Sequence, residues 1–220
     1  EQGSVSVRDY GRGIPLGSLV DVASKMNTGA KYEAGVFTKS LGLNGVGIKA
    51  VNALSSSYEI SSFREGRGAR ATFSCGNLLN FEEFDAPDEK SGTYTQFLPD
   101  DTLFKNYHYD LAIVQAMLRN YTYLNTGLTI VLNGESYRSK GGLLDLLAEN
   151  MVRDPLYAPV HLKGKDIEIA FTHRDAYGED YYTFVNGQHT SQGGTHLSAF
   201  REALVRTVKD FYHKDFEAED

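Results

Sequence analysis

The residues best placed to do chemistry stand in two glycine clusters, Asp9-Tyr10-Gly11-Arg12-Gly13-Ile14-Pro15 and Gly42-Leu43-Asn44-Gly45-Val46-Gly47. The second runs straight into a helix-forming segment, Ile48-Lys49-Ala50-Val51-Asn52-Ala53-Leu54. Free backbone N–H groups and the positive end of a helix dipole make such a start an anion site. Only glycine lets the backbone approach a phosphate closely. By itself the cluster fits a flexible glycine-rich loop equally well. It is no Walker loop, because no Gly-Lys-Ser/Thr ends it, and it lacks the preceding strand and spacing of the dinucleotide fingerprint. In the first cluster a carboxylate at a strand end precedes a Gly-x-Gly turn. Asp9 can accept a hydrogen bond from an exocyclic amine. That would discriminate against a purine carrying a carbonyl there, since an unpaired buried polar group costs roughly 1–3 kcal/mol. A plain turn aspartate is the commoner fate of Asp before Gly.

The elements that must position these residues follow from periodicity. Val5 and Val7 alternate with polar neighbours, an opening strand that delivers Asp9. Leu16, Leu19, Val20, Ala23 and Met26 keep helical spacing up to Thr28-Gly29. Strands are predicted at residues 58–63, 69–73 and 92–98, with an acidic loop around 85–90 between the last two. A helix is predicted over 110–123 with Gly127 as its cap, then a strand over 128–132 turning at Asn133-Gly134, a strong hairpin signal. A short helix follows over 142–149. Beyond Asp154-Pro155 the pattern restarts. Strands at 167–172 and 181–185 are joined by a polar turn containing Gly178, and Gly193-Gly194 leads into a long helix from Thr195 to Tyr212. Residues 150–159 make the best boundary, giving domains 1–152 and 153–220. Strands and helices do not alternate strictly, so the class is α+β.

Composition narrows the function classes. Across 220 residues, 41% are hydrophobic and 23% charged, an ordinary globular balance. Lys+Arg number 22 against Asp+Glu 29, a net charge of -7, which disfavours wrapping nucleic acid through bulk charge. The single Cys75 excludes a disulfide framework and a cysteine-based zinc site. No two of the 6 histidines stand at i, i+4 spacing with a Glu between them, so no metal site is expected. Ser191 and His196 lie outside a nucleophile elbow. Leu197, Phe200, Leu204, Val208 and Phe211 form a packing stripe. No apolar run approaches the roughly 18 residues of a membrane span, and no signal peptide opens the chain, so a cytoplasmic protein without a membrane partner is expected. The chain opens at Glu1 with a strand already under way and stops at Ala218-Glu219-Asp220; both ends read as cuts.

The first cluster, Leu41-Gly42-Leu43-Asn44-Gly45-Val46-Gly47 with Val51-Asn52-Ala53-Leu54-Ser55, and Ser91-Gly92-Thr93 resemble, in order and spacing, the ATPase region of type IIA topoisomerases, the gyrase B and topoisomerase IV B subunits. Tyr123-Leu124-Asn125-x-Gly127 is similar to the family's Phe-Leu-Asn-x-Gly turn. Phe184-Val185-Asn186 with Gly193-Gly194-Thr195-His196 is similar to the start of its transducer domain, so the likeness covers essentially the whole chain. The resemblance implies a GHKL-type α/β sandwich ATPase domain, incomplete at its N-terminus, followed by the first part of an α+β transducer domain. It implies that Asp9 binds the adenine amino group and that Thr93 assists through water. Gly11 lies in the turn whose Gly13, Ile14 and Pro15 pack beside the base. Gly42, Leu43, Asn44, Gly45, Val46 and Gly47 hold the triphosphate, and Lys31 lies in the ATP lid. Arg12 and Arg64 flank the pocket mouth, where a solvated surface pair is an even alternative.

The parent enzyme implied by this resemblance binds ATP with Mg²⁺ and closes two B subunits into a homodimeric clamp on DNA. With the DNA breakage-reunion A subunit it passes one duplex through another. The family's general-base Glu and its Mg²⁺-ligand Asn would precede Glu1, and its γ-phosphate lysine would follow Asp220. No catalytic residue or metal ligand is therefore assigned, and these 220 residues alone are expected not to turn over ATP. Tyr10 and Asn44 stand where gyrases often carry Asn and His. Two other classes compete: a non-catalytic nucleotide-binding and dimerisation module, and another GHKL ATPase such as a mismatch-repair protein, chaperone or sensor kinase. Gly193-Gly194-Thr195-His196 argues against the last.

Overall fold

An antiparallel sheet presents the first glycine turn at its edge. The computed structural model describes residues 3–26 and 45–215, in two compact units, Glu1–Asp110 and Leu111–Asp220. In the first unit the strands are β1 (Val5–Arg8), β2 (Ser55–Arg64), β3 (Arg67–Ser74), β4 (Asn77–Asp85) and β5 (Gly92–Pro99). Their spatial order is β1-β5-β2-β3-β4, every neighbouring pair antiparallel. The first predicted helix begins as a 3-10 turn, Leu16–Ser18, and continues as α1 (Leu19–Ser24); α2 (Gly47–Ala53) packs beside α1 and on the sheet.

Period-2 alternation sets the two sheet faces. Tyr58 and Ile60 of β2 and Ala69, Ala71 and Phe73 of β3 point inward, where Leu19 and Ala23 of α1 complete the buried core. Outward residues carry charge instead: Arg70 reaches Glu59 at 3.4 Å and Glu82 at 3.6 Å. On the opposite face, at the end of β3 beyond the core, Arg67 pairs with Glu83 at 2.9 Å. β4 was not expected from the sequence. Adjacent Leu78 and Leu79 break the alternation, and the ladder shifts register between Thr72 and Phe73 to accommodate the strand. The predicted acidic loop is confined to the residues just after it.

The second unit holds α3 (Leu111–Leu124), the hairpin β6 (Thr129–Leu132) and β7 (Glu135–Arg138), and α4 (Leu143–Asn150). It continues through β8 (Val160–Lys163), β9 (Glu168–Phe171), β10 (Phe184–Val185) and β11 (Gln188–His189) to α5 (Thr195–Tyr212). Asn133 and Gly134 have φ of 50° and 89°, the double left-handed geometry of the predicted hairpin turn. Arg119 of α3 meets Glu149 of α4 at 2.6 Å, and Phe171 lies 5.7 Å from Phe200 of α5. One pairing differs from expectation. The segment at 167–172 pairs with β8, while the segment at 181–185 contributes only β10, which folds back on β11. A local partner a few residues away closes a shorter loop than the expected crossing of the Gly178 turn. The expected boundary at residues 152 and 153 falls in the stretch between α4 and β8.

Candidate functional site

β1 ends at Arg8, but the ladder runs one residue further, where the Asp9 N–H donates to the Thr93 carbonyl at 2.9 Å. That bond sets the Asp9 side chain beside Thr93 at the start of β5. The Gly11 N–H donates to Asp9 Oδ1 at 2.8 Å, and the Thr93 hydroxyl donates to Oδ2. The carboxylate is thus anchored through both oxygens while remaining exposed, with lone pairs left for an outside donor. The bond from Gly11 makes Asp9 a turn aspartate, one of the two alternatives in the sequence.

Three close approaches lock the turn. Gly92 has φ of 137°, and a Cβ there would sit 2.0 Å from the Asp9 carbonyl oxygen. Gly13 has φ of 72°, and a Cβ there would lie 2.7 Å from the Phe63 carbonyl and 2.9 Å from the Arg64 stem. Ser62, buried on β2, accepts from the Ile14 N–H at 2.8 Å and donates back to the Ile14 carbonyl at 2.7 Å. Pro15 caps the 3-10 turn, Arg12 is exposed, and Arg64 is half-buried at the end of β2. The structure therefore gathers Asp9, Gly11, Gly13, Ile14 and Thr93 where β1, β2 and β5 meet.

Of the second cluster, Gly42, Leu43 and Asn44, together with Lys31, lie outside the described residues. Gly45 has φ of 56°, Val46 caps α2, and Gly47 is its first residue. Among the described residues no side chain bonds the cap, and none lies within 4 Å of a Cβ placed on Gly47. Beneath it, buried Asn52 donates through Nδ2 to the Ala23 carbonyl at 3.0 Å, tying α2 to α1. Lys49 is buried too, and burial pulls its ammonium below the usual lysine value.

Sequence reasoning quoted Asn52 and Gly92 within motifs without a role, and it passed over Ser62 and Arg8. A serine on the inward face of a strand with Tyr58 and Ile60 was the available signal for Ser62. Arg8 left none, because an arginine beside a strand end reads as solvated.

Among the described residues no group of three or more His, Cys, Asp or Glu could hold a metal. His161 meets Glu168 at 2.9 Å, and Tyr157 bonds His173, as surface pairs. His196, the second residue of α5, contacts the Thr190 hydroxyl at 3.2 Å. A shallow concavity of about 310 Å³ between Ala148 and Pro155 holds none of the predicted site residues. No described helix is long and apolar enough to cross a membrane.

Comparison with known proteins places these features in context. The DNA gyrase B family model matches residues 142–219. The B subunit of DNA topoisomerase 4 from Borreliella burgdorferi is 47% identical over 221 residues, covering 100% of the chain and 37% of that protein. The DNA gyrase B subunit of Thermus thermophilus is 34% identical, over 97% of the chain and 37% of its own length. The crystal structure of the 43K ATPase domain of the same organism's gyrase B, in complex with an aminocoumarin, superposes with a TM-score of 0.70 at 29% identity, covering 98% of the chain and 62% of that domain. The ATPase region of Saccharomyces cerevisiae topoisomerase II shares the fold, with a TM-score of 0.80 at 18% identity over 99% of the chain and 61% of that region. The chain spans 37% of the length of the curated relatives it matches here.

Proposed function

The chain belongs to the gyrase B and topoisomerase IV B family of type IIA topoisomerase subunits, and from that premise we propose that it binds ATP at the Asp9 turn. The observation that carries this reading is the Asp9 carboxylate, held by the Gly11 N–H and the Thr93 hydroxyl and open toward solvent. An acceptor so fixed suits the exocyclic amine of adenine, and Thr93 can share a water with the same base. Gly13, Ile14 and Pro15 form the wall beside the ring, with Arg12 and Arg64 at the pocket mouth. The triphosphate goes to the α2 start, where Gly45, Val46 and Gly47, preceded by Gly42, Leu43 and Asn44, offer backbone N–H groups. Lys31 belongs to the lid over it.

Mg²⁺ accompanies ATP in this reading. Among the described residues no group of three or more His, Cys, Asp or Glu could hold the ion, and none of them is assigned as its ligand. The junction of the ATP-binding and transducer parts lies at residues 152 and 153. The parent protein closes as a homodimer on binding ATP, acts on DNA with a breakage-reunion A subunit, and couples ATP hydrolysis to duplex passage. Identity of 47% to a topoisomerase 4 B subunit, against 34% to a gyrase B subunit, favours the topoisomerase IV type.

Asp9→Asn tests the reading. The amide turns a donor toward the adenine amine or toward Thr93, so ATP affinity falls by about 1–3 kcal/mol, roughly five- to 150-fold. Titration calorimetry on wild type and variant measures it. Equal affinities would overturn the assignment.

A further inference from the structure

We infer that Arg8 is a positioning residue that holds Asp9 in register with Thr93, and so sets the preference for an exocyclic amine over a carbonyl. The inference rests on the reading of Asp9 as the adenine contact.

The Arg8 side chain is 20% exposed and is held on every side. One terminal nitrogen donates to the Asp9 carbonyl at 2.5 Å, and the other donates to the Lys90 carbonyl at 2.6 Å. The second nitrogen also lies 3.7 Å from the Glu89 carboxylate. The guanidinium sits over two rings, 4.8 Å from the centroid of Tyr10 and 4.9 Å from that of Phe63. The missing side chain at Gly92 makes the approach possible, since a Cβ there would lie 2.6 Å from the same Arg8 nitrogen that reaches the Asp9 carbonyl.

This arrangement matters because of where the ladder ends. The paired ladder of β1 and β5 ends at Arg8 and Tyr94, with the Asp9 N–H···Thr93 bond one residue further. The carboxylate must nevertheless stay within reach of the Thr93 hydroxyl on the opposite segment. Arg8 adds a further tie: its fork bridges the carbonyl of Asp9 to the carbonyl two residues before Gly92, on the segment that leads into Thr93. A planar, charged fork can bond two carbonyls at once, whereas an ammonium cannot match that geometry. The two rings fix the plane of the fork, and a cation over an aromatic face is itself attracted to it. Arg8 acts through the backbone of Asp9, and its effect appears in what the Asp9 carboxylate recognises.

The test compares ATP with inosine triphosphate, which carries a carbonyl where ATP carries the amine. Affinities for both are measured by calorimetry on the intact chain for wild type, Arg8→Lys, Arg8→Met and Asp9→Asn. Wild type prefers ATP, and Asp9→Asn collapses that preference. Arg8→Lys and Arg8→Met narrow the ATP-to-inosine-triphosphate ratio by about three- to tenfold, the scale of one hydrogen bond. Thermal melts confirm that the variants fold, and Arg8→Lys, which keeps stem and charge, carries the test if Arg8→Met does not. An unchanged ratio in a folded Arg8 variant, alongside a collapsed ratio in Asp9→Asn, would make Arg8 a brace of the fold alone and overturn the inference. An unchanged ratio in Asp9→Asn itself overturns the adenine reading, and this inference with it.

Discussion

Asp9 does two things with one carboxylate, closing its own turn through Gly11 and facing solvent with the lone pairs that remain. Both depend on how closely β1 and β5 approach, and that distance is set by a residue with no side chain. At Gly92, φ of 137° and a would-be Cβ at 2.0 Å from the Asp9 carbonyl leave no room for alanine. Gly92→Ala is expected to destabilise the fold by about 2–4 kcal/mol, because the strained backbone and the clash act together. Thermal unfolding measures it. A variant melting at the wild-type temperature would mean that the two strands part easily, contrary to the packing.

At the scale of elements, the start of α2 offers a cleaner probe of phosphate binding than any glycine of the first cluster. Gly47 is the first helical residue, and among the described residues a Cβ there meets nothing within 4 Å. Gly47→Ala should therefore stabilise the helix by roughly 0.5–1 kcal/mol, since alanine loses less backbone freedom there. The same Cβ stands where a phosphate would approach the backbone, so triphosphate affinity should fall more than adenosine affinity. Melting and calorimetry on one variant separate the two effects. Equal losses for ATP and adenosine would remove the triphosphate from this helix start. Gly45→Ala is a poorer test, because φ of 56° strains any side chain before a ligand arrives.

At the scale of the whole molecule, the clustered core of buried apolar side chains lies in the first unit, around Tyr58. Burial pushes the pKa of the Tyr58 hydroxyl up to about 12, with Thr95 pulling weakly the other way. An unfolded tyrosine titrates near 10, so only the unfolded chain releases this proton between about pH 10 and 12. The stabilisation is complete below about pH 10 and is lost as pH climbs through that window. Tyr58→Phe should match wild type near neutrality and lose stability less steeply above about pH 10. Urea unfolding from about pH 7 to 11 provides the comparison. Parallel decline of the two proteins would assign the alkaline loss to other tyrosines.

Local signals carried much of this protein. Asp9 before Gly-x-Gly, the glycines before α2, the Asn133-Gly134 turn and the 195–212 helix each announce themselves within a few residues, because turn chemistry and hydrophobic period are properties of neighbours. The α+β class followed from the order of those pieces. What tertiary structure alone decided is everything that joins residues far apart in the chain. The Thr93 hydroxyl meets Asp9 across 84 positions, and Ser62 clasps Ile14 across 48. Arg8 reaches Lys90 across 82. β4 stayed hidden because an edge strand needs little apolar alternation. The partner of β9 stayed hidden because strand pairing depends on loop closure as well as on pattern. The residues of a site assembled at the meeting of three strand ends announce themselves locally, but its geometry exists only after the sheet has brought those ends together.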